Sequence, residues 1–179
     1  MSALESMLHR RSHSKVGANA PSHTELLRLV EAAGTVADHS SMRPWRLIEL
    51  RGDARDRLGE ALAAADGKGD VAKMVGKARR APLLIAIVGV YRPSAKVPHW
   101  EQEAVASGVA HALSLLLDEA GWGVIWRTGA QTRHDTVREA HGLAANEQLL
   151  GWLYVGDVPP GDRQPRRKLI DPAEHLSAF

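Results

Sequence analysis

Between Ala104 and Leu117 the chain reads AVASGVAHALSLLL, with apolar or small side chains on every side of the helix that this spacing predicts. Ala104, Val105, Ala106, Val109, Ala110, Ala112, Leu113, Leu115, Leu116 and Leu117 leave no polar face, and a helix apolar all round needs cover all round. A chain of 179 residues makes one ordinary domain, which has few places to bury such a helix completely. Two arrangements remain open: the centre of a single subunit, or a helix covered on one side by a second copy. The many small residues permit close helix approach, and two-fold dimers are the commonest assemblies, so the second copy is the favoured expectation. The predicted helix spans residues 100–120. Its apolar stretch is shorter than a bilayer span and is interrupted by Ser107, His111 and Ser114, so no membrane segment is expected.

Around this helix the pattern predicts alternating elements. Residues 2–9 form a short helix with Leu4, Met7 and Leu8 on one side. Ser22 and Glu25 have capping-box spacing at the start of a second helix, continued by Leu26, Leu27, Val30 and Ala33. ADHSSMRPW is a polar loop ending in Pro44, and WRLIEL alternates as a strand. Helices are expected over 54–65 and 71–80, separated by the DGKGD loop. APLLIAIVGV reads as a central strand covered on both faces. GVIWRT is a further strand, HDTVREAHG a short helix and QLLGWLYVG the last strand. After Asp157 the proline-rich text cannot hold a regular ladder or helix. One domain over residues 1–158 and a tail over 159–179 follow.

The formal charge is only +2, 23 basic minus 21 acidic residues, which argues against a general nucleic-acid binder. Cysteine is absent, which removes disulfides, thiolate metal sites and cysteine nucleophiles, and fits a reducing cytoplasm. MSALESMLHRR has no apolar run and no cleavage site of a secretory signal.

The usual catalytic signatures are missing. There is no phosphate loop and no Gly-x-Ser-x-Gly elbow, and Gly121-Trp122-Gly123 lacks the third glycine of a dinucleotide fingerprint. His9 and His13 have helical spacing without the glutamate of a zinc-protease motif, so no metal site is expected. Glu101 and Glu103 complement the dipole of the long helix. His111 reads as a core or interface residue. Two basic clusters remain: Arg10-Arg11-Ser12, and WRTG at 126–129. An arginine leaving a buried strand needs an anionic partner. An internal salt bridge and a ligand phosphate, with the Ser12 and Thr128 hydroxyls beside it, both satisfy Arg127.

HRRSHSK, ADHSSMRPW, VPHWEQEA and GWGVIWRTGA occur in this order over residues 2–156, and together they resemble the nitroreductase family, most closely its compact single-domain members. The resemblance implies an α+β fold of three layers, with a mostly antiparallel or mixed central sheet flanked by helices and the long helix at a homodimer interface. It implies FMN as cofactor, NADH or NADPH as reductant, and a small electron-poor acceptor such as a nitroaromatic or quinone. By position, Arg10, Arg11 and Ser12 contact FMN. His39 and Ser40 approach it from the other subunit, and Trp126, Arg127 and Thr128 bind its ribityl-phosphate end. No protein acid or base is obligatory, because the flavin carries the chemistry. The family pattern differs at Ser14, Thr35 and Arg43. The alternative function is an FMN store or sensor without turnover. In this family the C-terminal segment often crosses onto the partner, where Phe179 would anchor it; a frayed polar terminus is the other reading. Arg166, Arg167 and Lys168 read as a solvated run.

Overall fold

The structure, a computed structural model, describes residues 2–67, 69–161 and 169–178. Lys68 in the DGKGD loop, Arg166, Arg167, Lys168 and Phe179 lie outside the described residues. Six α-helices and four strands are present among the described residues: α1 (Ala3–His9), α2 (His23–Ala33), β1 (Trp45–Leu50), α3 (Asp53–Ala65), α4 (Val71–Ala78), β2 (Leu83–Val90), α5 (His99–Glu119), β3 (Trp122–Arg127), α6 (Asp135–Ala140) and β4 (Glu147–Asp157). The chain is α+β in three layers. No helix of the described residues is long and apolar enough to cross a membrane.

The sheet has the order β1-β2-β4-β3, and all three pairings are antiparallel. Alternation along β2 explains why its sequence is a continuous apolar run. Leu84, Ala86 and Val88 face a core with Leu58, Leu62 and Met74 of α3 and α4. Leu83, Ile85 and Ile87 face a second core with Val109, Ala110, Leu113 and Leu117 of α5. A strand in the middle of the sheet, with helices on both faces, has no polar side to show.

Helix starts follow the local chemistry. Ser2 with Glu5, and Ser22 with Glu25, form capping boxes that satisfy otherwise orphaned N–H groups at the starts of α1 and α2. Helix α1 turns its apolar side outward, however. Leu4, Met7 and Leu8 are exposed, and the buried residue is Ser6, whose hydroxyl donates to Glu119 Oε1 at 3.2 Å.

The long helix is covered on one side only. Val105, Ala106, Val109, Ala110, Leu113 and Leu117 are buried, whereas Trp100, Ala104 and His111 are exposed and Gly108 and Leu115 half-buried. Those five positions recur at three- and four-residue steps and so form one stripe along the helix. Full burial, as its composition demands, is not reached within a single chain.

Strand β4 carries the one irregularity of the sheet. Its register against β2 shifts between Ile87 and Val88, which leaves Leu150 as the extra residue beside Gly151. A bulge here bends the strand where it runs beside the end of β3. Gly151 has φ 131°, and a Cβ there would stand 2.4 Å from the Arg127 carbonyl oxygen and 2.7 Å from the Trp126 indole nitrogen. Only glycine lets the two strands approach this closely.

Candidate functional site

Three sequence-predicted groups fall at distinct places. Arg10, Arg11 and Ser12 follow α1, in a segment fixed against the edge of β3 by the His13 N–H donating to the Val124 carbonyl at 2.9 Å. Trp126 and Arg127 end β3, and Thr128 follows it. Groups one and three therefore share one edge of the sheet.

Arg11 is already engaged. Its Nη1 donates to the carbonyls of Leu8, His9 and Arg10 at 2.8–2.9 Å, which satisfies carbonyls at the end of α1. The Arg10 guanidinium has no hydrogen-bond partner among the described residues, and Ser12 is exposed.

Trp126 and Arg127 point to opposite faces, as successive strand residues must. The Trp126 ring packs on the α5 side and meets His111 edge-on at 5.1 Å between centroids. Its indole nitrogen is buried without a partner among the described residues. Arg127 turns to the α3–α4 side, where its guanidinium lies over the Tyr154 ring at 5.3 Å. Arg127 Nε is buried and unpaired, and among the described residues no carboxylate forms a salt bridge with this side chain. Of the two explanations the sequence left open, the internal salt bridge is not found among the described residues.

Instead Arg127 lines a pocket of about 130 Å3 with Lys77, Arg80, Thr128, Gln131, Tyr154, Leu62, Met74 and Trp152. Three cations and the side chains of Thr128 and Tyr154 converge there, and among the described residues no acidic side chain lines it. Burial pushes the Tyr154 phenol above its ordinary value, offset in part by the Arg127 and Arg80 cations. A buried N–H without a partner costs free energy, and with three cations around it this arrangement favours an anion. Lys77 and Arg80 were not singled out in the sequence, where they sit in an ordinary amphipathic helix and its end. Gly151 was legible in principle, since an isolated glycine inside a strand pattern signals a bulge or close approach.

The second group lies elsewhere. His39 and Ser40 belong to a 3-10 turn (His39–Ser41), and His39 Nδ1 is 2.8 Å from Glu101 Oε2 in the first turn of α5. Glu101 thus anchors this turn as well as complementing the helix dipole. At the other end of the same helix, Asp118 Oδ1 accepts the Arg11 N–H at 3.4 Å. Glu101 and Asp118 are 17 residues apart in α5, which is ~25 Å along its axis. Within one chain His39 and Arg11 therefore stand at opposite ends of α5. An open groove of about 690 Å3 runs from His39 past Trp100 and Ala104 to Gly108, along the uncovered stripe.

The comparisons with known proteins bear on this arrangement. Residues 7–157 match the model of the Nitroreductase family. The chain belongs to the nitroreductase family. A relative in Escherichia coli (strain K12), named "Putative NAD(P)H nitroreductase YdjA", is 38% identical over the full length of both chains. Among solved structures, a nitroreductase-like family protein from Bacillus cereus superposes with a TM-score of 0.87 at 21% identity, covering 100% of this chain and 96% of that one. The FMN and NADPH-dependent nitroreductase NfnB from sphigopyxis sp. strain HMH superposes at 0.80 with 18% identity, covering 100% and 99%. At these identities the superpositions speak for the nitroreductase fold, three-layered and built on an antiparallel sheet.

Proposed function

We propose that this nitroreductase is an FMN-dependent oxidoreductase, active as a homodimer. It takes hydride from NADH or NADPH and passes electrons to a small electron-poor acceptor such as a nitroaromatic or quinone. The observation that carries the reading is Arg127: a half-buried side chain whose Nε is buried and unpaired among the described residues, in a pocket whose described lining has two further cations and no acid. The names of YdjA and NfnB, an NAD(P)H nitroreductase and an FMN and NADPH-dependent nitroreductase, support the choice of cofactor and reductant.

The donor set fits a phosphorylated cofactor. Arg127, Lys77 and Arg80 supply charge-assisted hydrogen bonds, and Thr128 supplies a hydroxyl. Arg10, whose guanidinium has no partner among the described residues, adds a further cation from the segment beside β3, with the Ser12 hydroxyl close by in sequence. When bound, FMN supplies the site that accepts and releases hydride. The chain's own part is to hold the cofactor, stabilise negative charge near the cations, and keep water out with Leu62, Met74 and Trp152. No side chain is assigned as an acid or base.

His39 and Ser40 join the site from the second copy. The ~25 Å between the ends of α5 keeps them from the Arg11 end within one subunit. Two copies packed along the open stripe, with their α5 helices antiparallel, would bring opposite ends together. We place the described part of the tail, residues 169–178, on the partner as well. Leu169, Ile170 and Leu176 are exposed, and a groove of about 310 Å3 between α2 and β1 offers an apolar seat at the open edge of the sheet.

The test is an absorption spectrum of freshly purified protein, mass spectrometry of any released cofactor, and anaerobic mixing with NADPH. Yellow protein carrying FMN that bleaches within seconds is the expected result. Persistent colour would favour storage or sensing. Protein that stays colourless after incubation with FMN and desalting would remove the cofactor and leave an interaction protein.

A further inference from the structure

Three non-glycine residues of the described chain have positive φ, and all fall within one four-residue stretch: Ser40 (61°), Ser41 (49°) and Arg43 (47°). Side chains disfavour this left-handed region, because Cβ crowds the following carbonyl. A turn that gathers three such residues relaxes unless other contacts hold it, and strain of this kind concentrates at functional sites.

The holding contacts are specific. Asp38 Oδ1 accepts the Met42 N–H at 3.2 Å and Asp38 Oδ2 accepts the Arg43 N–H at 2.7 Å. The Asp38 carbonyl accepts the Ser41 N–H at 3.0 Å. From the other side, Arg92 Nη1 donates to the Met42 carbonyl at 2.8 Å. Arg92 is itself pinned by Gln102 of α5, which is 2% exposed: its Oε1 accepts the Arg92 N–H, and its Nε2 donates to the Arg92 and Val97 carbonyls. The turn is thus locked between its own aspartate and a buried glutamine, while His39, Ser40 and Arg43 stay exposed.

We infer that Asp38 is a positioning residue whose carboxylate holds residues 39–43 in the strained turn that presents His39 and Ser40 to the flavin site of a second copy. The inference rests on the flavin reading above. Both Asp38 oxygens are committed to backbone N–H groups of the turn, so the residue acts through the conformation of the loop and not by touching the cofactor. Charge-assisted bonds to backbone N–H groups are strong enough for that task.

The experiment uses the full-length chain and has two readouts. The first is FMN affinity from quenching of flavin fluorescence. The second is exchange of the Met42 and Arg43 amide protons without added flavin. Asp38→Ala is expected to weaken FMN binding about tenfold, as expected when charge-assisted hydrogen bonds are lost, and to speed exchange at both amides. Ser41→Gly alone should change neither readout. In Asp38→Ala/Ser41→Gly, glycine lowers the cost of positive φ and should restore part of the affinity.

Unchanged FMN affinity in Asp38→Ala, or unchanged amide exchange, overturns the assignment. A loss that glycine does not repair also overturns it, because a direct contact would behave that way. A wild-type chain that leaves FMN fluorescence unquenched overturns the flavin reading first, and the exchange readout then reports on the Asp38 clamp alone.

Discussion

Among single residues, Arg127 carries a charge with no carboxylate partner among the described residues. Its Nε is buried and unpaired, and its neighbours in the pocket are Lys77, Arg80 and the Tyr154 ring. Arg127→Ala should reduce FMN retention at least tenfold, as loss of a charge-assisted contact does, while the solution mass stays that of the wild type. Equal flavin occupancy in variant and wild type would remove Arg127 from the site. Arg43 is exposed on the strained turn, and Arg43→Gln should change the ranking of acceptors while flavin stays bound; identical acceptor profiles would contradict this. Gly151 tests the backbone beneath the pocket. Gly151→Ala forces a Cβ to 2.4 Å from the Arg127 carbonyl at positive φ. A loss of about 2–3 kcal/mol in urea unfolding is expected.

Among elements, α6 and β4 are joined by a contact with a built-in pH dependence. His141, at the end of α6, points Nδ1 at the Val137 carbonyl at 2.7 Å, and its Nε2 accepts the Trp152 indole N–H at 3.0 Å. Only the neutral ring satisfies both partners, since a protonated Nε2 cannot accept. Burial lowers the His141 pKa from its ordinary 6.5, with the Val137 bond opposing and the Arg46 cation adding to the shift. The unfolded chain therefore takes up this proton first as pH falls. The group's contribution to stability is complete above 6.5 and is lost as pH drops through the lowered folded value. His141→Gln should flatten the pH dependence of urea unfolding on the acid side of neutrality; an unchanged slope would exclude His141 as its source. The same contact sets the Trp152 ring in the Arg127 pocket, so its loss should reach that pocket. Helix α5 offers the other test at this scale. A Cβ on Gly108 would meet only Val36 at 3.8 Å or beyond, so Gly108→Glu fits the single chain. On a packed dimer face the same glutamate is intrusive, and light scattering should report the monomer mass with an unchanged circular dichroism spectrum.

For the whole molecule, the decisive fact is that α5 separates two parts of the candidate site by ~25 Å. If the proposed assembly holds, Gly108→Glu should lose FMN together with the dimer, and FMN affinity should fall on dilution below the dimer dissociation constant. Tight FMN binding by a strictly monomeric variant would break that link.

The elements themselves were legible in the sequence because they rest on short-range chemistry. Ser22 and Glu25 cap α2 three residues apart, the alternation of WRLIEL sets β1, and the unbroken apolar run of β2 already implied cover on both faces. The site was legible only in part. Arg127 stood out as a charge in an apolar strand, yet whether it met a carboxylate or an open pocket depended on which side chains the fold brought opposite it. Lys77 and Arg80 reach it from up to 50 residues away in the chain through the packing of α4 in the core it shares with α3, and Tyr154 comes from the paired strand β4. The outward side of α1 and the half-covered α5 were likewise decided by tertiary packing. Helical period and capping are fixed by neighbours a few bonds apart, whereas convergence of charges and cover for an apolar face are fixed by contacts across the fold, where the cost of burying an unpaired charge or baring an apolar surface is settled.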